Sequence, residues 1–194
     1  VLTVIAFGNT SCGLVTDQMT LSIWPGATAD AGPDINICAG NAVVITGATA
    51  SDYSSLTWST DGTGTFNNAN ALNPTYTPSS NDSTDGSIIL TLTADGNGNC
   101  SDAVNSMTLT ITPAPTVSAG SDATICSTDV SYALNGTATN SSSILWTTSG
   151  SGTFSDETNI DPVYTPSSAD ISSGQVVLTV IAFGNTSCGL VTDQ

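Results

Sequence analysis

Five cysteines and sixteen carboxylates are the groups in this chain most able to do chemistry, and they stand without a single Lys, Arg or His. A thiol or hydroxyl nucleophile needs a neighbouring base, ordinarily an imidazole or an amine. Cys12, Cys38, Cys100, Cys126, Cys188 and the many Ser and Thr residues therefore lack an activating partner. Carboxylate pairs can hydrolyse glycosides. Here the Asp residues and Glu157 are scattered through turn-rich stretches, and no pair stands out. The inventory argues against an enzyme and assigns no catalytic residue and no cofactor-binding residue. It also excludes nucleic acid as a partner, because nothing neutralises a phosphate backbone. With a formal net charge of −16, like charges are tolerated only by spacing and counterions. Acid is expected to relieve that repulsion and promote association, since there are no ion pairs for it to break.

One set of oxygen donors has a ligand-like spacing. Asp95, Asn97 and Asn99 alternate in a Gly-rich loop, with Asp30 and Asp34 on the neighbouring first strand. Oxygens in that pattern suit a hard cation such as Ca²⁺. The same residue types suit a turn that visits left-handed backbone, and the corresponding positions later in the chain are Phe183, Asn185 and Ser187. The expected cofactor complement is none, with calcium as the one alternative, and no metal ligand is assigned.

The elements that position these groups repeat. Residues 1–18, VLTVIAFGNTSCGLVTDQ, recur letter for letter as residues 177–194. A weaker period of half that offset relates Cys12, Cys100 and Cys188, and likewise Cys38 and Cys126. Trp58 then matches Trp146, Phe66 matches Phe154, Tyr76 matches Tyr164 and Met19 matches Met107. Such self-similarity marks a tandem array. The unit is 88 residues and the higher unit a pair of 176. The chain reads as a window cut from a longer array. Residues 1–26 are the C-terminal strands of a preceding repeat, 27–114 one repeat, and 115–194 a second, truncated before its last strand. Apolar runs such as Val176 to Val180 are broken by Thr within a few residues. A membrane helix needs about 20 in a row, so no membrane insertion is expected. A cationic signal peptide is absent.

Within a repeat, short strands separated by turn residues favour an all-β sandwich. Ile35–Cys38, Val43–Thr46 and Leu56–Ser59 are the first three expected strands, and Gly62–Phe66 a tight turn into a short strand. Pro74 and Pro78 argue against a central strand between them, because proline removes ladder donors. Ser87–Ala94 alternates, with Ile88, Leu90, Leu92 and Ala94 on one face. Met107, Leu109 and Ile111 are the inward residues of the last strand. Thr112-Pro113-Ala114-Pro115-Thr116 is a short, semi-rigid linker.

The segments AGPDINIC, LTWSTDGTGTF, NPTYTPSSND, SIILTLTADGNGNC and SMTLTI together resemble a PKD-like, immunoglobulin-like repeat. The kinship extends to the repeats of giant surface adhesins of gliding bacteria, of the SprB type. The resemblance covers the whole chain, twice. It implies tandem immunoglobulin-like sandwiches stacked head to tail, type IX secretion, and an extracellular position on the bacterial outer cell surface. It further implies a filament that holds an adhesive tip away from the cell. The expected partners are neighbouring repeats and other filament chains, with surfaces or polysaccharide bound elsewhere. A polysaccharide-binding module, calcium-dependent or not, is the alternative. Such a module needs an aromatic platform in every copy, whereas Phe7 and Trp24 are unmatched in the next repeat.

Trp58 and Trp146 are read as core residues beneath the opposing sheet. Trp24, before Pro25, is read as an inter-domain contact, against an exposed binding aromatic. Asn-x-Ser/Thr at Asn9, Asn81, Asn135, Asn140 and Asn185 is read as turn chemistry, and Asp82-Ser83-Thr84 resembles a bacterial O-glycosylation signal. Export to an oxidising compartment implies paired cysteines. Two pairings stay open. Cys38 with Cys100 and Cys126 with Cys188 close each repeat on itself, leaving Cys12 for a partner upstream. Alternatively, immunoglobulin topology puts Cys38 at one pole and Cys100 at the other, about 25–30 Å away, beyond disulfide reach. Cys38 then meets Cys188 of the following repeat, and Cys126 and Cys100 reach repeats on either side.

Overall fold

A computed structural model describes residues 1–194 as almost wholly strand and turn. The first unit is a lone antiparallel hairpin, β1 (Leu2–Ala6) and β2 (Val15–Met19). The second, from Thr28 to Thr112, contains β3 (Thr28–Asp30), β4 (Ile35–Cys38), β5 (Val43–Val44), β6 (Thr49–Ser51), β7 (Tyr53–Thr60), β8 (Thr65–Phe66), β9 (Thr75–Thr77), a six-residue helix α1 (Ser80–Asp85), β10 (Ser87–Gly96) and β11 (Ala103–Thr112). The third repeats the plan with β12 (Thr116–Ser118), β13 (Tyr132–Ala133), β14 (Thr137–Thr139), β15 (Ser141–Thr148), β16 (Thr153–Phe154), β17 (Val163–Thr165), α2 (Ser168–Ser173), β18 (Leu178–Gly184) and β19 (Leu190–Asp193).

In the second unit one sheet runs β4-β11-β10-β7 and the other β5-β9-β8, with β3-β6 as a small pair. The long strand β10 is the spine. Its alternation has a period of two, so Ile88, Leu90, Leu92 and Ala94 all point inward and are buried. They meet Met107, Leu109 and Ile111 from β11, and Leu56 and Trp58 from β7. Trp58 is 2% exposed and its indole N–H donates to the Leu72 carbonyl at 3.3 Å. Trp146 repeats this with the Ile160 carbonyl at 3.3 Å. Each indole continues into a tilted aromatic stack, Trp58–Phe66–Tyr76 and Trp146–Phe154–Tyr164.

The Pro74–Pro78 segment departs from expectation. Its three inner residues form β9, the middle strand of its sheet, with Val43 and Phe66 both opposite Tyr76. The prolines flank the pairing instead of interrupting it, and Pro74 contributes only an acceptor, to the Ile45 N–H at 2.9 Å. Helices α1 and α2 and the β3-β6 pair are absent from the sequence reading.

The third unit buries fewer residues, with Leu134, Trp146, Tyr164 and Val180 as its centre. Strand β4 has no counterpart there. In the second unit β4 pairs in parallel with Leu109–Thr112. Residues 123–126, at the positions equivalent to β4, make no ladder pair, and Ile125 is 39% exposed. The last strand is represented by its opening, β19.

Candidate functional site: the joint between repeats

The joint is built by where the first and last strands of a sandwich end. Strand β4 runs parallel to β11, and Cys38 stands opposite Thr112, the final residue of β11. The chain leaves this pole through Pro113-Ala114-Pro115. In the following unit the turn between β18 and β19 faces back, because antiparallel β18 and β19 reverse at the pole where the chain arrives. That turn carries Cys188. The two half-reaches meet as a disulfide, Cys38–Cys188, with Cα atoms 4.9 Å apart and a sequence separation of 150. Both cysteines are 8% exposed. The Cys188 sulfur, with no hydrogen left to donate, lies in contact with the Thr112 and Pro113 carbonyl oxygens at 3.6 Å each.

Side chains of the third unit secure the same linker. Asn140, in left-handed backbone at φ 54°, donates from Nδ2 to the Ala114 carbonyl at 3.1 Å. Its own carbonyl accepts from Asn185 Nδ2 at 3.2 Å. The Asp193 carboxylate takes the Ala119 N–H at 2.9 Å. The second unit has equivalent bonds, Asn97 Nδ2 to the Asp52 carbonyl at 2.8 Å and the Ala31 N–H to Asn105 Oδ1 at 2.9 Å. The turn–turn bond thus recurs at the receiving pole of each unit, while the side-chain bond to the linker belongs to Asn140, whose counterpart Asp52 has no amide donor.

At the preceding joint Cys100 takes the place of Cys188. Its thiol donates to the Trp24 carbonyl at 3.6 Å, 88 residues before the Cys188–Thr112 contact. The Trp24 ring lies over Gly98, whose φ is +60°; a Cβ added there meets Trp24 Cδ1 at 3.4 Å. Trp24 is 57% exposed and touches the turn of the next repeat. Cys12, Cys100 and Cys126 are free thiols. The Cys38–Cys100 and Cys126–Cys188 pairings do not form.

Behind the joint each sandwich is tied by a buried carboxylate that sequence reasoning missed. Asp82 is fully buried. It accepts the N–H groups of Thr63 (2.7 Å), Gly64 (3.0 Å) and Ser79 (3.0 Å) and the Tyr76 hydroxyl (2.8 Å). Ser79 and Asp82 form a reciprocal capping box for α1. Gly62 is required by close approach, since a Cβ there would sit 2.7 Å from Asp82 Oδ1. Burial alone raises the Asp82 carboxyl. The Thr63 and Ser79 backbone N–H groups, with the Tyr76 and Ser79 hydroxyls, outweigh it and bring the value to about 2. Asp170 accepts from Ser151, Ser167 and Tyr164 at 2.8–2.9 Å. The Ser151 and Ser167 N–H groups hold it well below the usual carboxylate range. Burial pushes Tyr76 and Tyr164 up, and their carboxylate partners add to the rise. The available signal was Ser-x-x-Asp in both repeats, at Ser79–Asp82 and Ser167–Asp170.

The oxygen donors of the calcium reading are engaged locally. Asp95 takes the Ser55 hydroxyl, Asp30 the Gly32 N–H and Asp34 the Thr108 N–H. No three carboxylate or cysteine side chains gather in a metal-like group. Among the Asn-x-Ser/Thr sites Asn81 lies in α1 and not in a turn. Ser83 and Thr84 of the glycosylation-like triplet bond back to the Ser79 and Ser80 carbonyls. No helix is long and apolar enough to cross a membrane.

No protein-family model and no curated protein sequence matches the chain. Among solved structures it is similar to the N-terminal eight immunoglobulin domains of Down Syndrome Cell Adhesion Molecule. The TM-score is 0.56 at 14% identity, covering 98% of this chain and 30% of that one. Immunoglobulin domains 1–4 of Sidekick-1 are also similar, with a TM-score of 0.43 at 12% identity, covering 97% of this chain and 55% of that one. So are domains EC22–24 of mouse cadherin-23, with a TM-score of 0.43 at 15% identity, covering 87% of this chain and 66% of that one. The chain therefore spans about a third of the first of these structures. The likeness to the first of these establishes the fold: tandem immunoglobulin-like β-sandwich domains, arranged head to tail.

Proposed function

We propose that the chain is a stalk segment of a long, repetitive adhesin, exported to an oxidising exterior and displayed on a bacterial cell surface. Its mechanism is mechanical: each sandwich supplies length and each joint supplies stiffness. The observation that carries this reading is the Cys38–Cys188 bond, which ties one repeat to the next across a proline-rich linker. A joint that only needed to connect would not require a covalent second connection. Type IX export and a gliding-type filament follow from the sequence resemblance and form part of the proposal. The polysaccharide reading loses its platform, because Trp24 lies against a neighbouring turn and its counterpart is Thr112.

The free thiols complete the scheme. A cysteine 150 residues after Cys126 stands one 176-residue period beyond Cys100. Each joint of an array is then closed in the same way as Cys38–Cys188. Two thiols become one disulfide, releasing two protons and passing two electrons to a disulfide oxidant of the export compartment. Electron micrographs of an array of several 176-residue units test the stalk. A strand of about nine residues spans about 30 Å, so unbranched filaments with an axial repeat of about 70–90 Å are expected. Collapsed or freely jointed particles would reject the stalk. Peptic, non-reducing peptide mapping of the same array should yield Cys126 linked to Cys100 of the next unit.

A further inference from the structure

We infer that the Cys38–Cys188 bond diverts tension around the folded cores, so that residues 39–187 form a closed loop that carries no pulling load. The inference rests on the stalk reading but concerns where force travels, not whether a filament forms. Without the bond, tension applied at the two ends must pass through every residue, and the yielding of either sandwich lengthens the chain. With it, the covalent route enters at residue 1, runs to Cys38, crosses to Cys188 and leaves at Gln194. Strands β5 to β11 and nearly all of the third unit hang from this route as a side loop. Breaking their ladders releases no length along the pulling axis.

The route itself has little slack. The interval from Cys12 to Cys38 recurs between Cys100 and Cys126. The first copy contains β2, the linker, β3 and β4, and the second contains β11, the linker and β12. About 26 residues extend to at most about 85–95 Å, and the two sandwiches they traverse advance about 70–90 Å. The load-bearing thread is thus close to full extension in the folded state. Cores and thread divide the work: the sandwiches hold the thread in register, and the thread takes the pull.

Single-molecule pulling of the chain by its two ends tests this directly. The oxidised chain exposes about 45 residues to tension and should reach a contour length of about 150–160 Å. Under reductant the full chain is exposed and the contour should grow by about 500 Å. Cys188→Ser should behave as the reduced chain in both conditions. Contour length is read after unfolding, so this comparison holds even if the variant is poorly folded. A reductant-dependent gain of about 200 Å would indicate a Cys38–Cys100 bond and overturn the bypass. Equal contours with and without reductant would overturn it as well. Neither result bears on the axial repeat in micrographs, which tests the stalk separately.

Discussion

Replacing Asp82 by Ala removes the acceptor shared by three backbone N–H groups and the Tyr76 hydroxyl; the Gly64 N–H keeps the Tyr76 oxygen at 3.1 Å, while the Thr63 and Ser79 N–H groups lose their partner. Unpaired buried donors are costly. Urea unfolding of the Asp82→Ala variant should show a loss of about 3 kcal/mol or more. The same carboxylate makes the fold acid-sensitive without any ion pair. Its folded value, about 2, lies below the unfolded value of about 3.9. The stabilisation is therefore complete above the unfolded value and is lost as pH falls through the folded one. Circular dichroism should show thermal stability declining from about pH 4 to pH 2, and Asp82→Asn should flatten part of that slope. Trp58→Ala empties the centre of the same sandwich and should cost about 3–5 kcal/mol.

Identical elements in different surroundings separate local coding from packing. Residues 1–18 and 177–194 share one sequence, and both fold as a hairpin. Val180 is fully buried because β18 lies on β15, whereas Val4, its identical counterpart, is 66% exposed. Val180→Asp places an unpartnered carboxylate in the core and should destabilise by more than about 3 kcal/mol. In this chain, where β1 pairs only with β2, Val4→Asp should change stability by no more than about 0.5 kcal/mol. Thermal unfolding of the two variants checks the contrast. The alternation of Ile88, Leu90, Leu92 and Ala94 was legible in sequence because a period of two survives any packing. The Cys38–Cys188 joint was legible only as one of two open pairings, because the pole-to-pole argument rests on immunoglobulin topology and not on the residues themselves. Helices α1 and α2 were not legible by periodicity, because Ser80–Asp85 has no apolar residue, Ser168–Ser173 has only Ala169 and Ile171, and the caps make each helix. Strand β9 was missed for another reason. Proline denies a donor only at its own position, and the three residues between Pro74 and Pro78 retain theirs.

At the scale of the whole molecule, charge and shape govern behaviour together. A chain with 16 carboxylates and no cation repels its copies at neutral pH. Light scattering at low salt should rise as pH is lowered from 7 to 4, before protonation of Asp82 lowers the stability of its sandwich. A flat trace would contradict the electrostatic account. On the stalk reading, the head-to-tail arrangement joined at Cys38, Cys188 and the Thr112–Ala114 carbonyls makes the molecule a rod. Small-angle X-ray scattering of the oxidised chain in dilute solution tests that claim most directly. A compact globule of this length has a radius of gyration of about 16 Å. A stiff rod of about 90 Å, the span of two sandwiches and their linker, gives about 26 Å. The account predicts the larger value, with the long tapering distance distribution of a rod. A radius near 16 Å would mean that the repeats fold back on one another, and the stalk would be contradicted.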